Sequence, residues 1–158
     1  METRIRLLGH PVHGMLVVLP LGLFPAAVLF DALYLATGIA EFAAVAYWNI
    51  SIGIVGGLLA APFGAIDWSA IPSATRAKRI GRWHGGGNLL ILGLFTVSWL
   101  MRQPNHAYAP NAVPFLLGLT GGGLALVTGW LGGELVYRLR MAVDDEASLN
   151  ASNSIGRG

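Results

Sequence analysis

Apolar residues fall in four long runs separated by short polar stretches, and these runs set the architecture. The first extends from about Pro11 to Leu35, the second from about Phe42 to Ile66, the third from about Trp83 to Met101, and the fourth from about Val113 to Tyr137. A helix needs about 20 apolar residues to cross about 30 Å of hydrocarbon, and each run supplies roughly that length. The pattern predicts an all-α membrane protein, a four-transmembrane-helix up-down bundle over residues 1–140 with spans at about 11–35, 42–66, 83–101 and 113–137. The link from Ala36 to Glu41 is short enough to make the first two helices an antiparallel hairpin. A polar stretch from Trp68 to Arg82 joins helices two and three, and Arg102 to Asn111 joins three and four. Residues 141–158 form a polar tail, predicted disordered. No soluble domain and no strong internal repeat is read from the pattern.

Composition sharpens this reading. Hydrophobic residues make up 54% of the chain and charged residues 11%, against about 25% charged in soluble domains. That is too little charge to cover a soluble surface. Cysteine is absent, which excludes disulfides, thiolate metal sites and thiol nucleophiles. The first apolar run is long and no small-residue cleavage site follows it, so it reads as a span and not a signal peptide.

The placement of charge predicts orientation. Arg4 and Arg6 precede helix one, Arg76, Lys78, Arg79 and Arg82 precede helix three, and Arg138 and Arg140 follow helix four. With Arg157, nine of the ten Lys and Arg residues fall on one side, and only Arg102 on the other. Basic residues resist translocation, so both termini are expected on the cytoplasmic face of a bacterial inner membrane. Tyr34, Trp48, Trp68, Trp83, Trp99, Tyr108 and Tyr137 near the helix ends read as interfacial aromatics.

Candidate chemistry lies in the depth of the polar residues. His10 and His13 open helix one in GHPVHG, His84 opens helix three in RWHGGGN, Asp67 closes helix two, and Glu134 closes helix four in GWLGGELVY. All five are predicted at one shallow layer near the cytoplasmic interface, where ionisable groups usually face the bundle or one another. His10 and His13 are spaced to share a face if the helix has begun there, and Pro11 suits a helix start. Each has a structural alternative: a lone interfacial histidine is commonly solvated or capping, and Asp67 and Glu134 can pair with Arg82 or Arg138. Asp31 is expected at the outer interface and His106 exposed in the outer loop. Gly118, Gly122, Gly129 and Gly133 form a stripe on helix four, with Gly53, Gly56 and Gly57 on helix two. Such stripes let helices pack closely or make room for a flat macrocycle. Pro20 and Pro25 are expected to kink helix one.

GHPVHGMLVVLPLGLF, a second helix ending GAIDW, RWHGGGNLL with a Trp-Leu-Met-Arg exit, and GWLGGELVY together resemble the bacterial family catalogued as domain of unknown function 2231. The resemblance runs from about Gly9 to Arg138 and places His13, Asp67, His84, Asn88 and Glu134 on family positions. It implies a small membrane protein, some of whose relatives are joined to or encoded near Rieske-type iron–sulfur proteins, and so a possible redox partner of that kind.

Three functional readings stay open. In the first, the chain is an electron-transfer module binding haem b. Neighbouring helix axes about 8–10 Å apart put diagonal ones at roughly 12–14 Å, a gap that a bis-histidine haem bridges. His84 with His13 or His10 would be the axial pair, with Asn88, Gly129 and Gly133 beside the ring. In the second, His10, His13, Asp67, His84 and Glu134 hold a divalent transition metal or relay protons. In the third, no cofactor is bound and the layer serves an accessory subunit, monomeric or oligomeric. Nothing resembles a nucleophile–base triad, a phosphate loop or a nucleic-acid surface, so an electron carrier or accessory subunit is expected over a stand-alone enzyme.

Overall fold

The computed structural model describes residues 3–102 and 107–154. His106 and Arg157 lie outside them. The first crossing is Val12–Thr37, made of α1 (Val12–Leu16) and α2 (Val18–Thr37) with a break at Val17. The break has a local cause: Pro20 has no N–H to offer the Leu16 carbonyl, and Pro25 repeats the defect one turn on. Gly38, at φ 72°, closes α2 by donating its N–H to Tyr34 O. Next come α3 (Ala40–Ser69), α4 (Arg76–Leu100) and α5 (Ala112–Gly133), which continues as a π-helical turn, Glu134–Arg138. α4 starts well before the expected Trp83, because its first turns are basic and invisible to hydropathy. Thr75 nevertheless caps it by accepting the Lys78 N–H, and Asn111 caps α5 through the Val113 N–H.

Ahead of α1, strands β1 (Arg6–Leu7) and β2 (His10–Pro11) form a small antiparallel hairpin. His10 is therefore on a strand, and the helical face expected for His10 and His13 does not exist.

Three crossings, Val12–Thr37, Ala40–Ser69 and Ala112–Arg138, are long and apolar enough to span a membrane. α4 is comparably long, but His84, Gly85 to Gly87 and Asn88 dilute its hydropathy. The helices alternate in direction. The end of α3 meets the start of α4 where Trp68 Nε1 donates to Lys78 O, and α1–α2 and α4 finish together where Arg102 meets Asp31. Leu21, Leu29, Val55, Leu58, Leu89, Leu126 and Trp130 point outward, as a lipid-facing surface requires. The interior is small and tight: Phe24, Ala27, Ala46, Ile50, Ile91 and Phe95 form the core. The chain is an all-α, multi-pass membrane protein.

The core reveals a repeat that the sequence reading did not find. Phe24 and Phe95 stack at the centre, ring centroids 4.0 Å apart and 6° from parallel. Phe24 lies over Gly53 and Phe95 over Gly121, so closely that an added Cβ would sit 2.5 Å and 2.8 Å from the rings. Asp31 and Arg102, which face each other, are 71 residues apart. The same offset relates Phe24 to Phe95, His13 to His84, and the GLF of Gly22–Phe24 to that of Gly93–Phe95. A second constant offset relates Gly53, Ala60 and Gly64 of α3 to Gly121, Thr128 and Gly132 of α5. The molecule is thus two like hairpins, α1–α2–α3 and α4–α5, facing each other about a pseudo-two-fold axis along the bundle.

Asp31, expected near the outer end of helix one, faces the bundle interior. It is 1% exposed and accepts two hydrogen bonds from the Arg102 guanidinium, at 2.8 and 2.6 Å. Arg102, expected as the lone basic residue of the outer loop, is buried too and also donates to Ser98 Oγ at 3.2 Å. Removing one partner leaves a buried charge alone, so Asp31→Ala or Arg102→Ala is expected to cost about 3–5 kcal/mol. Replacing both, as Asp31→Leu with Arg102→Leu, should cost far less. Thermal unfolding of the detergent-purified variants checks the contrast, and equal losses would contradict it.

Candidate functional site

The basic end of the bundle brings two of the five predicted polar residues into equivalent places. His13, in α1, sets Nδ1 3.0 Å from the carbonyl of Ala60 on α3. His84, in α4, sets Nδ1 2.9 Å from the carbonyl of Thr128 on α5. A carbonyl can only accept, so each Nδ1 carries the proton and donates it. The neutral ring then keeps its lone pair on Nε2.

Glycine makes both bonds possible. In a helix the carbonyl of residue i points along the axis toward residue i+4, whose side chain ordinarily screens it. Gly64 stands four residues after Ala60, and Gly132 four after Thr128. An added Cβ would lie 2.7 Å from the His13 ring at Gly64 and 3.1 Å from the His84 ring at Gly132. The two imidazoles are thus held alike, one on each hairpin. Asn88, one turn beyond His84, donates to His84 O at 2.9 Å and approaches Nε2 at 3.2 Å. Metal-binding histidines characteristically donate their other ring N–H to a carbonyl or carboxylate, which fixes tautomer and ring orientation. Both histidines satisfy that condition.

The remaining predicted residues lie elsewhere. His10 is exposed, with Nδ1 3.0 Å from Leu8 O in its own hairpin. Asp67 accepts the Arg4 backbone N–H at 3.0 Å. Glu134 pairs with Arg76 at 2.6 Å, not with Arg138. Among the described residues no three His, Cys, Asp or Glu side chains gather as a metal-binding group. Gly129 faces open space, and Gly133 meets only Tyr137 of its own segment. The glycine stripe is therefore correct at Gly118 and Gly122, which contact Phe95 and Val28, and misplaced at the basic end, where Gly132 is the contact residue. Gly64, Gly132 and the Ala60 and Thr128 carbonyls were missed by sequence reasoning. Their signal was the spacing of the HG and GLF pairs in the two halves.

These contacts predict a graded response. Gly64→Val and Gly132→Val must push an imidazole aside, costing about 1–3 kcal/mol in a packed interior. Gly129→Val meets nothing and should leave the melting temperature within about 2 °C, near the small-effect limit for a surface change. Loss of stability at Gly129 but not at Gly64 would contradict the assignment.

Comparison with curated proteins and with solved structures finds no match. A family model described as "Predicted membrane protein (DUF2231)" matches residues 9–145, taking in both histidines, both accepting carbonyls and both hairpins. The chain belongs to this family of membrane proteins.

Proposed function

We propose that this protein is an electron-transfer component of the bacterial inner membrane that holds one b-type haem between His13 and His84. One observation carries the reading. Two imidazoles from diagonal helices each tie Nδ1–H to a backbone carbonyl and keep the lone pair on Nε2, the support that histidines ligating one iron would have.

The residues present fit such a group. His13 and His84 would be its ligands, Gly64 and Gly132 leave the rings their space, and Ala60 and Thr128 orient them. Gly85 and Gly86 carry no side chain beside His84 and face open space. Asn88 would give up its contact with Nε2 and keep its bond to His84 O. Haem supplies one-electron redox chemistry when bound. The protein's part is to fix ligand orientation and to exclude water with its apolar core. Arg4, Arg6, Arg76, Lys78, Arg79, Arg82, Arg138 and Arg140 at the histidine end favour a cytoplasmic site.

A mixed histidine–carboxylate centre is less well supported, because Asp67 and Glu134 have other partners. The accessory reading makes the two histidine bonds simple ties between helices, and the same experiment separates it. A reduced-minus-oxidised spectrum of the detergent-purified protein should show the Soret and α bands of a bis-histidine haem, about one haem per chain. His13→Ala and His84→Ala should each abolish the bands, and His10→Ala should retain them. A folded, colourless protein purified from haem-replete cells would overturn the proposal.

A further inference from the structure

The two hairpins present inner faces built to nearly the same plan. His13 over Gly64, Phe24 over Gly53 and Asp31 on one correspond to His84 over Gly132, Phe95 over Gly121 and Arg102 on the other. A face that fits an almost equivalent hairpin also nearly fits a copy of itself, since a two-fold contact is self-complementary. Each hairpin therefore has two possible partners of similar shape: the other hairpin of its own chain, or the like hairpin of a second chain. The stacked phenylalanines do not discriminate, because a phenylalanine would meet a phenylalanine either way. Nor do the histidines. Of the three layers on the axis, only Asp31 and Arg102 differ in kind.

We propose that the buried Asp31–Arg102 pair is the device that makes each hairpin dock on its unlike partner and bars pairing with the like hairpin of a second copy. Like-with-like pairing would set Asp31 against Asp31, or Arg102 against Arg102, in an apolar interior. Each charge would then lose the counter-ion it has among the described residues, where both side chains are at most 2% exposed. Buried charges without compensation are strongly unfavourable, and like charges in contact exclude wrong partners. The surroundings agree with the assignment. Ser98 Oγ accepts from Arg102 and donates to Pro114 O at 2.8 Å, whereas the equivalent position on the first hairpin is Ala27. Among the described residues Arg102 Nε finds no hydrogen-bond partner, and Asp31 is the counter-charge that the guanidinium meets.

The absence of cysteine provides a clean test in the full chain. Ala27 is 0% exposed and one helical turn from Asp31 on the same face. Ala27→Cys places a lone thiol that meets another thiol only when two first hairpins pair. After oxidation, the otherwise native background should show almost no disulfide-linked dimer on denaturing gels. Adding Asp31→Leu with Arg102→Leu removes the discrimination, and the dimer fraction should rise about tenfold or more. Adding Asp31→Arg with Arg102→Asp keeps opposite charges and should restore the low level. If the leucine variant retains a cooperative melt without gaining dimer, the pair contributes stability alone and the proposal is overturned.

If the leucine variant does not fold, the charge reversals still decide. Asp31→Arg alone and Arg102→Asp alone place like charges together within one chain, and each should be lost to aggregation. Two differently tagged full chains, one bearing each reversal and both bearing Ala27→Cys, can satisfy both charge layers only by pairing hairpins between chains, and only the like arrangement brings the two thiols together. Co-expressed, they should yield a folded one-to-one complex carrying both tags, and oxidation should link it by that disulfide. Failure of the two to rescue one another would overturn the proposal.

Discussion

A bilayer interior offers no water, so every donor carried into it must find an acceptor within the protein. Here several of those acceptors sit on a different helix from the donor. His13 and His84 each donate to a backbone carbonyl of the neighbouring helix, Trp99 Nε1 to Ser51 Oγ at 2.7 Å, and Ser98 Oγ to Pro114 O. Arg102 reaches Asp31 across the axis. Burial of apolar surface gives little preference between lipid and a neighbouring helix, so packing and polar ties hold a membrane bundle together. In this chain the polar ties also specify which faces meet.

Glycine is what turns that demand into register. A helical carbonyl already accepts from its own helix, and a second donor reaches it more readily where the residue four positions on has no side chain. Gly64 and Gly132 open such windows over Ala60 and Thr128. Gly53 and Gly121 do the same for the phenylalanine rings, where the contact is purely one of shape. Sliding α3 by one residue against α1–α2 would present Ile52 or Ile54, and Phe63 or Ala65, where the rings must lie. The register of the first hairpin is therefore fixed at two heights, and the stacked phenylalanines hold the halves together.

Four apolar runs were enough to read the bundle from the sequence, whereas depth put His10, His13 and His84 in one layer without separating His13 from His10. The start of α4 was misjudged because a capped basic turn has no hydropathic signal. Asp31 was read as interfacial and Arg102 as the basic residue of the outer side, because each lies near a helix end and nothing in a linear pattern says that two ends meet. Gly129 was preferred to Gly132 because four- and seven-residue spacing identifies a stripe without saying which neighbour it faces. The decisive information was long-range. His13 with Phe24 and His84 with Phe95 share one spacing, as do Gly53 with Gly64 and Gly121 with Gly132. Only the packing of each histidine and phenylalanine on its glycine joins those two patterns into one repeat.

A pseudo-two-fold axis imposes different demands on its two ends. Where the two halves hold the same side chain at one level, equivalence is useful, because it gives two imidazoles the same tautomer and the same support. His13 and His84 keep that equivalence down to the glycine beneath each ring. Where the halves must be told apart, equivalence is the difficulty, and it can be broken only by a feature that changes sign across the axis. Charge does so at the smallest change in shape: a carboxylate on one side and a guanidinium on the other fill one layer and neutralise each other. The bundle is symmetric where two like ligands would be shared and antisymmetric where two like hairpins would otherwise be exchanged. The apolar phenylalanine stack between these layers keeps the two polar ends apart.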